Sequence, residues 1–352
     1  MTSNNRINFL NEIPIPNKIL SNLPLGKGEE ILINSTRSEL ELVLQNKSNK
    51  IIVIVGPCSI HNVKSALEYA DFLKTQIDLY RESLIIIMRT YFSKPRTIIG
   101  WKGFINDPDL DNTFNINKGL FKSRELLINI LKLGVPCAME QLDTIIPQYF
   151  NDLLSWSAIG ARTSESQVHR ELASGISMPV GFKNNTEGNI MVAIQGIKSC
   201  QKSHHFLGCN MDGKVSSIQT NGNPFGHIIL RGSNSGPNYD ESNIRDVEET
   251  LEKNNLTKNI IIDFSHGNSN KDYNKQIKVA KDVCQQISNG CVSIKGCMIE
   301  SNLIEGSQNI NSKPLKYGVS ITDSCINLET TKQILEMLHH SYLEREKNIL
   351  SV

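Results

Sequence analysis

The chain has 352 residues, of which 39% are hydrophobic and 21% are charged, and its formal net charge is +1 at pH 7. These values are ordinary for a soluble globular protein, and a charge near zero argues against a general nucleic-acid-binding protein. No run is long and apolar enough to suggest a membrane span, and residues 1–8 lack the apolar core of a signal peptide. The eight cysteines have neither metal-finger spacing nor a compact disulfide pattern. We therefore expect a cytoplasmic protein with reduced thiols and with no nucleic-acid or membrane partner.

Residues 1–50 are predicted to form an N-terminal extension. Its Ile13–Pro16 segment is expected to be extended because a proline restricts the residue before it, and Ser35–Gln45 is expected to form a helix. From residue 51 onward, short apolar runs alternate with helical patterns, which indicates a parallel sheet with helices between its strands.

Eight of the apolar runs end on, or just before, a residue that can hold an anion, a proton or a metal. The runs and these residues are Ile51–Val55 with Cys58, Leu84–Met88 with Arg89, Pro136–Met139 with Glu140, Trp156–Ala161 with Arg162, Pro179–Phe182 with Lys183, Ile228–Leu230 with Arg231, Ile260–Phe264 with His266, and Ile294–Ile299 with Glu300. A parallel barrel needs this arrangement, because its active site is built where all eight strands end, and it needs roughly 250 residues. The pattern predicts an α/β protein in which residues 51–348 form a (β/α)8 TIM barrel.

The helices of this barrel are predicted from apolar periodicity. They are Val63–Tyr80, Lys118–Leu133, Gln148–Trp156, Gln167–Ser174, Gly188–Ser199, Glu241–Asn254, Asp272–Ser288 and Asn327–Lys347. Ser164 and Gln167 have the spacing of a capping box at the start of one of them.

Two segments interrupt the alternation of strands and helices. Ser93–Asn115 is a long loop after the second strand, rich in Gly, Pro and Asp, and such loops are usually functional or disordered. Residues 205–219 are typical of strand, turn and strand, with Asp212-Gly213 in the turn. This segment is predicted to be an added β-ribbon between barrel units five and six, which could pair with another subunit or form an effector site.

Cys58, His266, Glu300 and Asp323 form a candidate metal site. A thiolate, an imidazole and two carboxylates suit Mn, Fe, Zn or Cu better than Ca or Mg. Taken alone, the cysteine could be a small buried apolar residue and the histidine a structural one. Their convergence at strand ends favours metal binding.

A second set of strand-end residues is cationic. Arg89, Arg162, Lys183 and Arg231 would repel each other at one barrel mouth unless an anion joined them, and arginine matches the geometry of phosphate and carboxylate. The loop string Lys94-Pro95-Arg96-Thr97 offers cations and a hydroxyl to a second phosphate. Two anionic substrates and a transition metal suggest that a phosphorylated enol is joined to an aldehyde, with Glu140 transferring a proton or orienting a lysine.

Several of these residues lie in longer strings that resemble the class I 3-deoxy-D-arabino-heptulosonate 7-phosphate (DAHP) synthases, of the short, feedback-regulated type. The strings are Gly56-Pro57-Cys58-Ser59-Ile60-His61, Lys94-Pro95-Arg96-Thr97, Gly100-Trp101-Lys102-Gly103, Ile159-Gly160-Ala161-Arg162-Thr163, Gly181-Phe182-Lys183-Asn184, Asp263-Phe264-Ser265-His266-Gly267-Asn268-Ser269 and Ser320-Ile321-Thr322-Asp323. The resemblance covers nearly the whole chain from about Ile13 onward.

The resemblance implies a metal-dependent condensation of phosphoenolpyruvate with erythrose 4-phosphate, the first step of the shikimate pathway to aromatic amino acids. It assigns one divalent transition metal (Mn, Fe, Zn or Co) to Cys58, His266, Glu300 and Asp323. It assigns phosphoenolpyruvate to Arg89, Arg162, Lys183 and Arg231, and erythrose 4-phosphate to Lys94, Arg96 and Thr97. Lys94, Cys58, His266 and Glu140 are the implied catalytic residues, and a homodimer or homotetramer is the implied assembly.

Members of this family are inhibited by an aromatic amino acid. The implied effector site comprises Pro147, Gln148, Gly175, Ser177, Phe206 and Gly208. In having glycine at position 208, the chain resembles the tyrosine-sensitive type. This glycine would leave room for a phenolic hydroxyl, although it could also be required only for the backbone conformation of the ribbon. We expect tyrosine to be the effector.

Three alternatives stay open. A 3-deoxy-D-manno-octulosonate 8-phosphate synthase would lack the Lys94–Thr97 loop and the ribbon. A non-catalytic regulatory paralogue should have lost some ligands, and this chain keeps them all. A metal-dependent barrel hydrolase acting on a phosphate ester would need no second phosphate site.

Overall fold

Eight parallel strands close into a barrel in the computed structural model, which describes residues 2–8, 11–96 and 98–350. The strands are β1 (Ile51–Gly56), β2 (Leu84–Arg89), β3 (Cys137–Glu140), β4 (Trp156–Ile159), β5 (Val180–Lys183), β8 (Gly226–Leu230), β9 (Ile260–Asp263) and β10 (Ile294–Glu300). They follow one another around the barrel in chain order, and β10 pairs with β1. Their residues are buried except Glu140, which is half-buried. The predicted (β/α)8 barrel is confirmed, with its eight strands where the apolar runs placed them.

Helices alternate with these strands. They are α1 (Pro16–Asn22), α2 (Lys27–Leu44), α3 (Val63–Tyr80), α4 (Ile116–Lys132), α5 (Pro147–Phe150), α6 (Gln167–Ala173), α7 (Met191–Cys200), α8 (Glu241–Lys253), α9 (Gln276–Ser288) and α10 (Leu328–Leu350). The prediction for α3 is confirmed at both ends, and Asn62 caps that helix by accepting a hydrogen bond from the Ser65 amide. In the N-terminal extension, α2 begins well before the predicted Ser35, and Pro16 starts α1, where proline is well tolerated.

Two local predictions are wrong. The expected helix Gln148–Trp156 is only the short α5, followed by a 3₁₀ turn at Asn151–Leu153, because Trp156 is fully buried as the first residue of β4. Ser164 does not cap α6; its hydroxyl donates to the Lys183 carbonyl at 2.7 Å, and Ser166 takes the N-cap position without a side-chain bond. In both places barrel packing outweighs the local pattern.

The predicted β-ribbon is confirmed. Strands β6 (His205–Cys209) and β7 (Val215–Gln219) pair antiparallel, and their turn includes Asp212-Gly213. The N-terminal extension contacts this turn, since the Asn17 amide donates to the Met211 carbonyl at 2.9 Å. The Tyr149 hydroxyl of α5 donates to the Pro14 carbonyl at 2.7 Å. The extension therefore links the ribbon to the barrel.

Helix α2 closes the N-terminal end of the barrel. Its Leu40, Val43 and Leu44 belong to the same buried apolar cluster as strand residues that alternate into the barrel interior, such as Ile52 and Ile87. A separate, larger cluster fills the layer between the strands and the surrounding helices. The C-terminal ends of the strands are thus the open side, where a barrel builds its site. In the described part of the chain, no helix combines the length and hydropathy needed to cross a membrane.

Lys295, near the start of β10, is a buried cation at the opposite end from the strand-end residues. Its ammonium donates to Asn46 Oδ1 and to the Val292 carbonyl, both at 2.6 Å. No carboxylate among the described residues lies within ion-pair distance of it. Burial, reinforced by the nearby Arg345, lowers the pKa of Lys295 to about 8.

We predict that Lys295→Met stabilises the protein at pH 7, by roughly 1–3 kcal/mol, because it removes the cost of burying an unpaired charge. In the wild type the unfolded chain binds the proton more tightly than the folded one between about pH 8 and pH 10.5. The free energy of unfolding therefore rises with pH across this window relative to that of Lys295→Met. Denaturant titrations at pH 7 and pH 10 measure the difference, with Lys253→Met as an exposed control. Parallel pH profiles for wild type and Lys295→Met would contradict the prediction.

Candidate active site

A cavity of about 520 Å³ opens at the C-terminal ends of the strands. Its cationic side chains are Lys94, Arg96, Arg162, Lys183, Arg231 and Lys271, and its acidic ones are Glu140 and Asp323. Six cations against two carboxylates leave the cavity strongly positive. Such a surface attracts ligands that carry several negative charges.

The four predicted metal ligands lie beside this cavity. One ligand atom each from Cys58, Glu300 and Asp323 forms a group whose members are all within 4.8 Å of one another. His266 borders this group, with Nε2 3.8 Å from Glu300 Oε1. Its Nδ1 faces away, 2.9 Å from Asp263 Oδ2. The structure thus brings the four side chains together, and a thiolate, an imidazole nitrogen and two carboxylates fit a divalent transition metal. Their role as ligands remains a prediction.

Charges around the group set its proton affinities. Burial and the Glu300 carboxylate raise the pKa of Cys58 to about 11, although Lys94 opposes the rise. The Lys94 ammonium donates to Cys58 Sγ at 3.0 Å. Burial would raise the pKa of Asp323, but Lys94 and His266 outweigh it and lower that pKa. A bound cation would stabilise the thiolate form of Cys58.

Arg89, Lys183 and Arg231 are the buried members of the predicted phosphoenolpyruvate site, and the first two are paired with carboxylates. Arg89 Nη2 donates to Glu300 Oε1 at 3.1 Å, and its guanidinium lies 4.0 Å from the Tyr91 ring centroid. Arg89 Nη1 is buried without a hydrogen-bond partner in the described residues, so it has a donor available for a ligand oxygen. Lys183 Nζ donates to Asp263 Oδ2 at 2.8 Å.

Arg162 and Arg231 complete the predicted set from the cavity wall. Burial lowers the pKa of Arg231, and the neighbouring Arg162 adds to this effect. Glu140 lines the same cavity, and a Cβ at Gly160 would lie only 2.0 Å from Glu140 Oε1. Glycine at position 160 therefore leaves room for this carboxylate.

The long loop after β2 folds back on itself beside the cavity. The Lys94 amide donates to the Lys102 carbonyl at 2.9 Å, and Ser93 pairs with Gly103 as a short antiparallel bridge. Arg96 is held by a hydrogen bond of 3.0 Å from its Nε to the Trp101 carbonyl. Lys94 and Arg96 thus face the cavity as predicted for a second phosphate site, while Thr97 lies outside the described residues.

Three residues at this site could not be identified from the sequence. Asp263 lies in the Asp263–Ser269 string, but only the structure shows its contacts with His266 and with Lys183, which is 80 positions away. Tyr91 lies under Arg89 because alternation past the end of β2 turns it inward. Lys271 lines the cavity from a segment in which it and Asn270 both have positive φ. Its only signal in the sequence is a position five residues after His266.

A second cavity, of about 790 Å³, lies between α5, α6 and the ribbon. All six residues of the predicted effector site line it: Pro147, Gln148, Gly175, Ser177, Phe206 and Gly208. Their convergence fits a small-molecule site separate from the barrel mouth. Effector binding there remains a prediction.

Known proteins are similar to this chain over most of its length. The model of the DAHP synthetase I family matches residues 31–336. The Trp-sensitive phospho-2-dehydro-3-deoxyheptonate aldolase of Escherichia coli is 46% identical over 324 residues, which are 92% of this chain and 93% of that protein. The Tyr-sensitive enzyme of Salmonella typhimurium is 45% identical over 339 residues, which are 96% and 95% of the two chains. Since both types are about equally similar, overall identity does not select an effector.

A solved structure has the same fold. The phospho-2-dehydro-3-deoxyheptonate aldolase from Francisella tularensis superposes with a TM-score of 0.95 at 48% identity, covering 96% of this chain and 99% of that one. The likeness includes the whole barrel, since the match leaves out little of either chain.

Binding of Co²⁺ tests the candidate metal site. Added to chelator-treated protein, Co²⁺ should give the near-ultraviolet charge-transfer absorption of a cobalt–thiolate bond. Cys58→Ser should abolish this band and weaken binding by about tenfold or more, because a ligand is lost. Cys325→Ser removes a second buried thiol close to Cys58 and should keep the band. A band that survives in Cys58→Ser would show that the metal binds elsewhere.

Proposed function

Because the chain belongs to the DAHP synthetase I family and is a DAHP synthase, we propose that it condenses phosphoenolpyruvate with D-erythrose 4-phosphate in a metal-dependent reaction. The products are DAHP and phosphate, and the reaction is the first step of the shikimate pathway. The observation that carries the proposal is the cavity lined by six cations beside a cysteine, a histidine and two carboxylates.

Phosphoenolpyruvate carries a phosphate and a carboxylate. Arg162, Lys183 and Arg231 face the cavity, and Arg89 lies behind it with a free donor. Paired donors of arginine suit both groups of this ligand. We assign these four residues to phosphoenolpyruvate and Lys94, Arg96 and Thr97 to erythrose 4-phosphate.

Cys58, His266, Glu300 and Asp323 would hold one divalent transition metal, Mn, Fe, Zn or Co. When bound, this ion polarises the aldehyde oxygen as a Lewis acid. The choice among these metals is left to experiment, because all of them accept such ligands.

Lys94 is the residue we assign to protonate the developing alkoxide as C3 of the enol attacks the aldehyde carbon. Burial would lower its pKa, but Cys58 and Glu300 outweigh burial and raise the pKa. Lys94 therefore carries a proton to donate. Water then adds at C2, phosphate leaves, and we assign Glu140 to accept the proton of that water.

The competing activities fit the site less well. A hydrolase for phosphate esters has no use for Lys94 and Arg96 in addition to the strand-end cations. A synthase acting on arabinose 5-phosphate would not need the loop and the ribbon. A regulatory paralogue would not need to keep every residue predicted to bind the metal and the substrates.

We further propose that residues 1–50 are an extension of a catalytic barrel spanning 51–348, and that the protein is a cytoplasmic homodimer or homotetramer. The outer face of the ribbon supports an assembly, because Leu207 and Val215 there are 81% and 83% exposed. Apolar side chains displayed together on a ribbon favour contact with another protein surface.

Arg96→Ala tests the second substrate site. We predict that its KM for erythrose 4-phosphate rises by about tenfold or more, because a phosphate contact is lost, while its KM for phosphoenolpyruvate changes little. Arg81→Ala, at an exposed arginine paired with Glu82, is the matched control. Equal KM values for the sugar phosphate in Arg96→Ala and wild type would contradict the assignment, and full turnover without that sugar would favour the hydrolase.

We propose tyrosine as the feedback inhibitor, bound in the cavity between α5, α6 and the ribbon. Gly208 supports this choice, because Ile218, which also lines the cavity, packs where a side chain at position 208 would lie. A Cβ there would lie 2.3 Å from Ile218 Cδ1, so any side chain must displace Ile218. The glycine thus keeps room in the cavity for a ring that carries a hydroxyl.

Gly208→Ser is predicted to weaken inhibition by tyrosine about tenfold, by crowding this cavity, and to leave kcat near that of the wild type. Ser217→Ala, on the opposite face of the ribbon, is the control and should keep full inhibition. Inhibition curves with tyrosine, phenylalanine and tryptophan make the measurement. If phenylalanine or tryptophan inhibits the wild type and tyrosine does not, the choice of tyrosine is wrong.

A further inference from the structure

Asp263 is a fully buried carboxylate at the end of β9, and it contacts both halves of the candidate site. Its Oδ2 lies 2.8 Å from Lys183 Nζ and 2.9 Å from His266 Nδ1. Its Oδ1 accepts hydrogen bonds from the Ser265 amide at 3.0 Å and the Ser265 hydroxyl at 2.7 Å. Asp263 does not line the cavity, so its effect on a ligand must pass through these neighbours.

The segment that follows Asp263 is held in an uncommon conformation. His266 has a φ of +55°, which non-glycine residues adopt rarely and at a cost. The Ser265 hydroxyl lies 2.7 Å from His266 Nδ1, and the Asn268 side-chain amide (Nδ2) donates to the Asp263 carbonyl at 2.8 Å. These contacts fix the imidazole so that Nδ1 faces Asp263 and Nε2 faces Glu300.

One carboxylate oxygen is therefore shared by a metal-site histidine and an anion-site lysine. Negative charge that is drawn towards one partner is less available to the other. A cation on His266 Nε2 would polarise the ring and strengthen the Nδ1–H bond to Asp263. Lys183 would then keep less of its counter-charge and would bind an incoming anion more strongly.

We propose that Asp263 is a positioning residue that couples metal binding at His266 to anion binding at Lys183. The proposal rests on the function proposed above, to which it adds a link between the two ligands. Because such coupling is reciprocal, phosphoenolpyruvate tightens metal binding by the same factor as the metal tightens phosphoenolpyruvate binding.

Calorimetric titration of chelator-treated protein with Mn²⁺, with and without phosphoenolpyruvate, tests the proposal without any turnover. In the wild type, phosphoenolpyruvate should lower the Kd of Mn²⁺ by about fivefold or more, within the usual range of coupling. Asp263→Asn should weaken Mn²⁺ binding by about 10- to 100-fold, as loss of a carboxylate behind a ligating histidine does, and should reduce the effect of phosphoenolpyruvate. Asp246→Asn, which makes the same change at an exposed carboxylate of α8, is the control and should retain the wild-type Mn²⁺ affinity and coupling.

Thermal unfolding shows whether Asp263→Asn is folded. If the folded variant keeps the wild-type Mn²⁺ affinity and coupling, the proposal is wrong. If this variant does not fold, ¹⁵N NMR of the metal-free wild type decides instead: His266 protonated at Nδ1 supports the proposal, and His266 protonated at Nε2 overturns it. A wild type that binds both ligands with coupling but makes no DAHP would contradict the proposed function and leave this inference standing.

Discussion

Positive charge held at the open end of the barrel is the constraint on which the site depends. Six lysine and arginine side chains face one cavity, where they repel each other. Two buried cations of the site are balanced from behind by carboxylates: Arg89 by Glu300 and Lys183 by Asp263. In each pair the balancing group is a candidate metal ligand or a direct neighbour of one. Removing one partner of such a pair would strand a buried charge, which is costly.

This arrangement joins the proposed metal site and the proposed anion site into one unit. The same carboxylates that could hold a metal also neutralise the cations that could hold a substrate. A metal that took charge from Glu300 would leave Arg89 more available for an anion, and we propose that Asp263 acts in the same sense on Lys183. The barrel makes this possible because it brings the ends of β2, β5, β9 and β10 to one opening. Helix α2 closes the other opening with apolar side chains.

Much of this could be predicted from the sequence. The apolar runs and the residues that follow them have a regular order that a closed parallel barrel requires, so the eight strands and their end residues were identified correctly. The ribbon was identifiable from its turn. The failures are local: the helical pattern before Trp156 ends early because the tryptophan is needed in the barrel wall, and Ser164 serves the Lys183 carbonyl rather than a helix end.

Partners that are distant in the chain could not be predicted. Asp263 and Lys183 are 80 positions apart, and nothing near either residue indicates their contact. The inward position of Tyr91 and the approach of Lys271 also depend on backbone geometry beyond the strand ends. Sequence patterns indicate which residues converge, whereas the pairing of charges within the convergent set depends on their three-dimensional arrangement.

The most direct measurement follows phosphate release from phosphoenolpyruvate by chelator-treated protein, with erythrose 4-phosphate and Mn²⁺ each present or absent. If the protein catalyses the proposed condensation, phosphate is released only when both are present, with one DAHP formed for each phosphate. Release without the sugar phosphate, or no release by folded protein with any of the candidate metals, would contradict it.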